Sequence, residues 1–95
     1  MNQNLIPNEL DLENLRHMLG ANGNRKSDYG TRNYFCASTL ETDEDYKSLL
    51  RLCQMGYVNA GAKTGTGQSQ YFNATVAGCE LLGFSKSQIQ KAMGR

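Results

Sequence analysis

The sequence lacks long apolar runs, and this limits the classes of protein to which it can belong. No stretch of about 18 consecutive apolar residues occurs, so we expect no membrane-spanning helix. The N-terminal stretch MNQNLIPNEL has neither a basic start nor an apolar core, so we expect no secretory signal peptide. These two absences favour a cytoplasmic protein.

Histidine and cysteine are too few and too scattered to predict a metal centre. The single histidine, His17, has no second ligand near it in the sequence, and Cys36, Cys53 and Cys79 form no C-x-x-C pair. We therefore expect no metal and no cofactor, and we interpret the cysteines as reduced, buried thiols. No nucleophile has a base beside it, so the sequence does not predict an enzyme.

Proline is also nearly absent, and the composition is that of a folded protein. With one proline, 39% hydrophobic and 20% charged residues, residues 1–95 are predicted to form a single domain with one small core. The net charge of +1 is uninformative, but two acidic clusters flank a basic one. The acidic clusters are Glu9, Asp11, Glu13 and Glu41, Asp43, Glu44, Asp45, and the basic residues between them are Arg25, Lys26 and Arg32.

Two amphipathic helices are predicted in the first half of the chain. The first covers about residues 9–19, with Asn8 as its N-cap. The second begins at a capping box of Thr42 and Asp45, and its apolar residues recur on one face until Gly56. Between them, RNYFCAS (residues 32–38) is too short for periodicity to distinguish a strand from one turn of helix.

The second half of the chain predicts a β-hairpin followed by two short helices. The segments YVNA and QSQYFN have strand-forming residues on either side of the glycine-rich stretch GAKTGTGQS. One helix then follows Thr75 as its N-cap. The last covers about residues 86–93 behind a capping box of Ser85 and Gln88.

The glycine-rich stretch raises the question of whether it binds phosphate. A P-loop places its lysine after the second glycine and opens a helix, whereas Lys63 precedes Gly65 and a strand-like segment follows. We therefore interpret the stretch as the tip of the hairpin, where glycine supplies positive φ. Helix, then hairpin, then a T-x-x-G helix start is the chain order of a winged helix. The predicted fold is therefore a small α+β, winged-helix-like domain with three to four helices and a β-hairpin wing.

In a DNA-reading winged helix, the helix before the wing enters the major groove. Here that helix begins ETDEDYK, and its carboxylates would be repelled by phosphates. The candidate binding surface is instead the basic loop, which we define as residues 21–32 with Arg25, Lys26 and Arg32. Three further residues are added to this partner-binding set: Tyr29 and Tyr34, which are interleaved with the basic residues, and Lys63 at the wing.

The segments RNYFCAS, LLRLCQMGYV and YFNATVAGCELLG resemble those of short, uncharacterised phage and prophage proteins of winged-helix type. The resemblance covers residues 12–83. It implies a phage-encoded accessory protein acting in the host cytoplasm, in a class that includes transcriptional regulators and inhibitors of host defence. It supplies no catalytic residues.

Two functions from different classes remain open at this point. The first is a non-enzymatic protein-binding module that docks on a host protein or nucleoprotein complex through the basic loop and the wing. The second is a DNA- or RNA-binding regulator that uses the same basic residues on phosphates. A homodimer through the last helix, which presents Ile89, Ala92 and Met93, is a further hypothesis, although such residues usually belong to the core.

Overall fold

Four helices and three strands make up the part of the chain that the computed structural model describes, residues 6–21, 23, 25 and 28–94. In chain order they are α1 (Glu9–Met18), β1 (Phe35–Ser38), α2 (Glu44–Gln54), β2 (Val58–Lys63), β3 (Ser69–Ala74), α3 (Val76–Leu81) and α4 (Lys86–Ala92). The α+β class and the hairpin are thus confirmed. The ambiguous segment RNYFCAS contains a strand, β1.

Side-chain caps fix where the helices begin. Asn8 caps α1, Thr75 caps α3, and Ser85 forms a capping box with Gln88 at α4, as predicted. At α1 the structure adds a reciprocal bond from the Asn8 amide to the Asp11 carboxylate. The predicted box of Thr42 and Asp45 is wrong. The N-cap of α2 is Asp43, whose carboxylate accepts a hydrogen bond from the Tyr46 amide at 3.0 Å.

The three strands form one antiparallel sheet in the order β1-β3-β2. Phe35 lies opposite Phe72 in the β1–β3 pair, and Val58 lies opposite Ala74 in the β2–β3 pair. Asn33 continues the β1 edge by its side chain: its Oδ1 accepts from the Ala74 amide at 2.7 Å and its Nδ2 donates to the Ala74 carbonyl at 3.2 Å. The Asn33 amide therefore satisfies backbone groups that a longer β1 would otherwise pair.

Strand alternation divides the sheet into a buried face and an open one. Phe72, Ala74, Ala37 and Val58 are buried in the core, where they meet the apolar sides of α1 and α2. Among the described residues, the buried hydrophobic core consists of twelve side chains: Leu15, Met18, Leu19, Ala21, Ala37, Leu49, Leu52, Val58, Phe72, Ala74, Cys79 and Phe84. None of these twelve lies on the opposite side of the sheet.

Helices α3 and α4 close one end of this core. The α4 residues Ile89, Ala92 and Met93 are partly buried and pack against it. These three residues therefore contribute to packing within the chain, and a homodimer through α4 stays a prediction. Among the described residues, no helix combines the length and the apolar character that crossing a membrane requires.

A buried ion pair joins α1 to α2. The Asp11 carboxylate is fully buried and accepts hydrogen bonds from Ser48 Oγ at 2.6 Å and from Arg51 Nη2 at 2.8 Å. Burial alone would raise the pKa of the Asp11 carboxyl, but the bonds from Arg51, Ser48 and the Asn8 amide together hold that pKa below its ordinary value. The carboxylate therefore stays charged at neutral pH, where it stabilises the helix pair.

Candidate binding face of the sheet

Of the three basic residues predicted in the loop, the structure describes Arg25 and Arg32. Arg25 is exposed and pairs with Asp28, with 3.5 Å between Arg25 Nε and the carboxylate. Such an exposed pair contributes little to stability, so Arg25 can exchange this partner for another anion at low cost. Lys26 lies outside the described residues.

Tyr29 contributes to packing within the domain. Its ring is partly buried and stacks on Phe84, with 5.3 Å between the ring centroids and 15° between the planes. Since Phe84 is itself buried, this stack packs the basic loop against the residue that precedes the N-cap of α4. Tyr29 thus differs from Tyr34, the other tyrosine of the predicted partner-binding set, whose side chain is exposed.

Arg32 and Tyr34 form a preassembled pair beside the start of β1. The Arg32 guanidinium lies over the Tyr34 ring, 4.3 Å from its centroid, and Arg32 Nη2 donates to the Tyr34 carbonyl at 3.0 Å. Within the described residues, Arg32 Nε is buried and makes no hydrogen bond. Tyr34 remains 52% exposed. The pair thus presents a planar cation and an aromatic ring to solvent.

Lys63 lies apart from this pair. It ends β2 opposite Gln70 of β3, whereas Asn33, next to Arg32, bonds to Ala74 at the other end of β3. Four residues of strand separate these two ends, or about 13 Å. Residues paired across an antiparallel ladder share a face, so Lys63 also lies on the side of the sheet opposite to Tyr71. The wing lysine and Arg32 therefore do not share one surface.

A second exposed tyrosine does share a surface with Tyr34. Tyr71 is 47% exposed and lies opposite Cys36. Tyr34 directly precedes β1, where its amide donates to the Met18 carbonyl at 3.1 Å, and the alternation of β1 continued back from Cys36 would place its ring on the same side. We call this side the outer sheet face, made of Tyr34, Cys36, Asn59, Tyr71 and Asn73. Its five members are all exposed.

Carboxylates are absent from the outward positions of the three described strands. Those positions hold tyrosine, asparagine, serine, cysteine and glycine, and Arg32 adjoins them. The acidic residues of the first turn of α2, Glu44 and Asp45, follow the opposite end of β1. These two carboxylates are therefore separated by the length of β1 from the end that carries Arg32, where the loop contributes the Asp28 carboxylate, paired with Arg25.

The cysteines have different surroundings, and one prediction about them is wrong. Cys36 is exposed on the outer sheet face because the alternation of β1 turns its neighbours Phe35 and Ala37 towards the core. Cys79 is buried and Cys53 is partly buried, and burial raises the pKa of both thiols. These two thiols are therefore poor nucleophiles at neutral pH.

Two open clefts lie in the part of the chain that the structure describes. A cleft of about 410 Å³ along α1 is lined by Glu13, Asn14, Arg16 and His17. A second, of about 460 Å³, lies between the end of β1 and the hairpin tip, where the lining is uncharged. Within the described residues, no group of three or more His, Cys, Asp or Glu side chains is placed to hold a metal ion.

The sequence did not identify Tyr71, Cys36, Asn59 and Asn73 as parts of a surface. Tyr71 and Phe72 were both expected in a strand, and alternation places one of two adjacent residues outside. Deciding which one faces outward requires the pairing with β1, which was not assigned.

Compared with known proteins, the chain matches no family model, and no curated protein or solved structure is significantly similar to it.

Proposed function

We propose that this chain is a non-enzymatic accessory protein of phage origin that docks on a host macromolecule through the outer sheet face. The observation that carries the proposal is the pair of exposed rings, Tyr34 and Tyr71, with the half-buried Arg32 stacked on Tyr34, beside strand positions that hold no outward carboxylate. Tyrosine and arginine are enriched among the residues that dominate binding energy at interfaces. Exposed aromatic residues on an otherwise polar sheet therefore favour a binding role.

Within the α+β class, we propose that the fold is a winged helix whose wing is the β2–β3 hairpin. Helix α2 directly precedes the hairpin and packs against β2, which supports this assignment. Gly67 has a φ of +79° in the hairpin tip, as expected for a tight turn.

The surface that a DNA-reading winged helix would use is less suitable here. The N-cap of α2 is Asp43, and Glu44 and Asp45 lie in its first turn. These carboxylates complement the helix dipole but would repel the phosphates beside a major groove. Docking therefore uses the outer sheet face, with Arg25 and Arg32 at its edge.

Recovery of bacterial components on tagged protein tests this proposal. Tyr71→Glu places a charge at the centre of the outer sheet face, and we expect recovery of the bound protein or nucleic acid to fall about tenfold or more. Leu50→Glu is the matched control, because Leu50 is exposed to a similar extent, 40%, on α2 across the core from the outer sheet face.

The two variants must first have the same thermal unfolding temperature as the unmodified protein, within a few degrees. Equal recovery with Tyr71→Glu, or an equal loss with Leu50→Glu, would contradict docking through the outer sheet face. Both proteins and nucleic acids are identified in the recovered material, so the test does not depend on the class of partner.

A further inference from the structure

The two exposed tyrosines, Tyr34 and Tyr71, can each present an aromatic ring on which a nucleic-acid base could stack. Tyr71 lies opposite Cys36. The pairing of β1 begins at Phe35, one residue after Tyr34, and the same register continued by one residue would place Tyr34 opposite Asn73. Tyr34 and Tyr71 are then diagonal neighbours on adjacent antiparallel strands, about 7–8 Å apart. The bases of a single-stranded nucleic acid can be separated from one another and stacked on aromatic side chains or on guanidinium planes.

Charge near these rings is of the sign that phosphates require. Arg32 stacks on Tyr34, and Arg25 is exposed in the same loop. Helix α4, which carries Lys86 and Lys91, reaches this end of the sheet through the Ala92 carbonyl, which accepts from Asn33 Nδ2 at 3.4 Å. Arg32 is thus the basic residue that directly adjoins the start of β1 among those described.

A double helix fits this surface less well than a single strand. The bases of a duplex are stacked within it, and reading them requires an element that enters a groove. The outer sheet face instead offers short, uncharged side chains around two rings, which leaves a shallow surface for unpaired bases. Single-strand binding combines aromatic side chains, on which bases stack, with basic residues that contact the phosphates. Tyr34 and Tyr71 would supply the first and Arg32 the second.

We infer that the outer sheet face binds a single-stranded nucleic acid, with bases stacked on Tyr34 and Tyr71 and phosphates held by Arg32 and Arg25. The inference rests on the proposed function, since it names the partner of the same face. It assigns stacking to the tyrosines and charge neutralisation to the arginines, and each role can be tested separately.

Fluorescence anisotropy with labelled single strands of about 20 nucleotides, oligo-dT and oligo-U, tests the inference at about 50 mM salt. Tyr71→Ala should weaken binding about tenfold to a hundredfold, because one stacked base is lost. Tyr71→Phe keeps the ring and should bind within about twofold of the unmodified protein. A duplex of the same length should bind more weakly than either single strand.

Salt dependence tests the role of the arginines. If two phosphates are neutralised, raising the salt from about 50 to 200 mM should weaken single-strand binding by roughly sevenfold. Arg32→Ala should reduce both the affinity and this dependence. Lys63→Ala is the matched control, because Lys63 lies on the opposite side of the sheet, and it should leave binding unchanged.

Three results would overturn the inference: no binding of either single strand, equal losses with Tyr71→Phe and Tyr71→Ala, or a larger loss with Lys63→Ala than with Tyr71→Ala. Failure of the inference is distinguishable from failure of the proposed function. A protein that is recovered from bacteria by the unmodified chain and lost with Tyr71→Glu, without oligonucleotide binding, would overturn only the inference.

Discussion

Asp11 shows how one side chain connects the start of α1 to the middle of α2. Its carboxylate completes the capping box with Asn8 and accepts from both Ser48 and Arg51. A buried carboxylate is costly unless its charge is matched, and here a guanidinium and a hydroxyl match it. Helical spacing and capping preferences predicted Asn8 as the N-cap of α1. The contacts of Asp11 with Ser48 and Arg51 of α2 could not be predicted, because they depend on how the two helices pack.

The lowered pKa of Asp11 predicts loss of stability in acid. Its folded pKa lies below the ordinary value of 3.8, so the unfolded chain binds more protons in that range. This contribution is complete above about pH 5 and is lost as the pH falls through the folded pKa. Asp11→Asn should lower the free energy of unfolding by about 1–3 kcal/mol at pH 7 and flatten its dependence on pH below 5.

Urea unfolding followed by circular dichroism between pH 7 and pH 3 measures both effects. Glu13→Gln is the control, because Glu13 is an exposed carboxylate on the same helix, and it should keep the stability and pH dependence of the unmodified chain. A pH dependence that Asp11→Asn leaves unchanged would show that another group is responsible.

The roles of the loop residues could be predicted from sequence only in part. Arg32 and Tyr34 were predicted to lie at the binding surface, and they form a cation–π pair beside the outer sheet face. Tyr29 has the same side-chain chemistry but packs on Phe84, which is 55 residues away along the chain. Residue type alone does not distinguish these two environments, because the difference arises from long-range packing.

At the scale of the elements, capping residues predicted where three of the four described helices begin. Strand β1 could not be predicted in the same way, because it depends on pairing with β3. A strand of four residues, buried on one side, is too short to show a period in its hydrophobic pattern. The segment becomes a strand because β3 supplies its hydrogen bonds and Phe72 meets Phe35 across the pair. At α2 the sequence offered two acceptors in succession, Thr42 and Asp43, and the position of the first helical turn selected Asp43.

The approach of α3 to the chain before β2 depends on a glycine. A Cβ at Gly78 would clash with the carbonyl oxygen of Tyr57. Gly78→Ala should therefore lower the free energy of unfolding by about 1–3 kcal/mol, although helix propensity alone would favour alanine by about 1 kcal/mol. Whether the free energy of unfolding falls or rises in this variant therefore shows whether the clash or the helix propensity dominates.

Chemical unfolding of Gly78→Ala beside Gly65→Ala measures this effect. A Cβ at Gly65 would meet no atom within 4 Å, and its φ is not in the positive range, so that variant should keep the stability of the unmodified chain. A stabilised Gly78→Ala variant would show that α3 shifts freely away from Tyr57.

At the scale of the whole molecule, the sequence predicted the fold class more completely than the binding surface. The basic loop and the wing were expected to act together. The sheet separates Lys63 from Arg32, because Lys63 lies opposite Gln70 at one end of β3 and Asn33, next to Arg32, bonds to Ala74 at the other. A surface assembled from three strands depends on register, and a one-residue shift would exchange its two faces.

The most direct test of the outer sheet face is photo-crosslinking inside bacterial cells, with a photoreactive phenylalanine analogue incorporated at position 71, 50 or 63 in turn. We predict that the analogue at position 71 gives a discrete adduct with a protein or a nucleic acid, and that positions 50 and 63 give none. Adducts from position 50 or 63 with none from position 71 would contradict the outer sheet face as the binding surface.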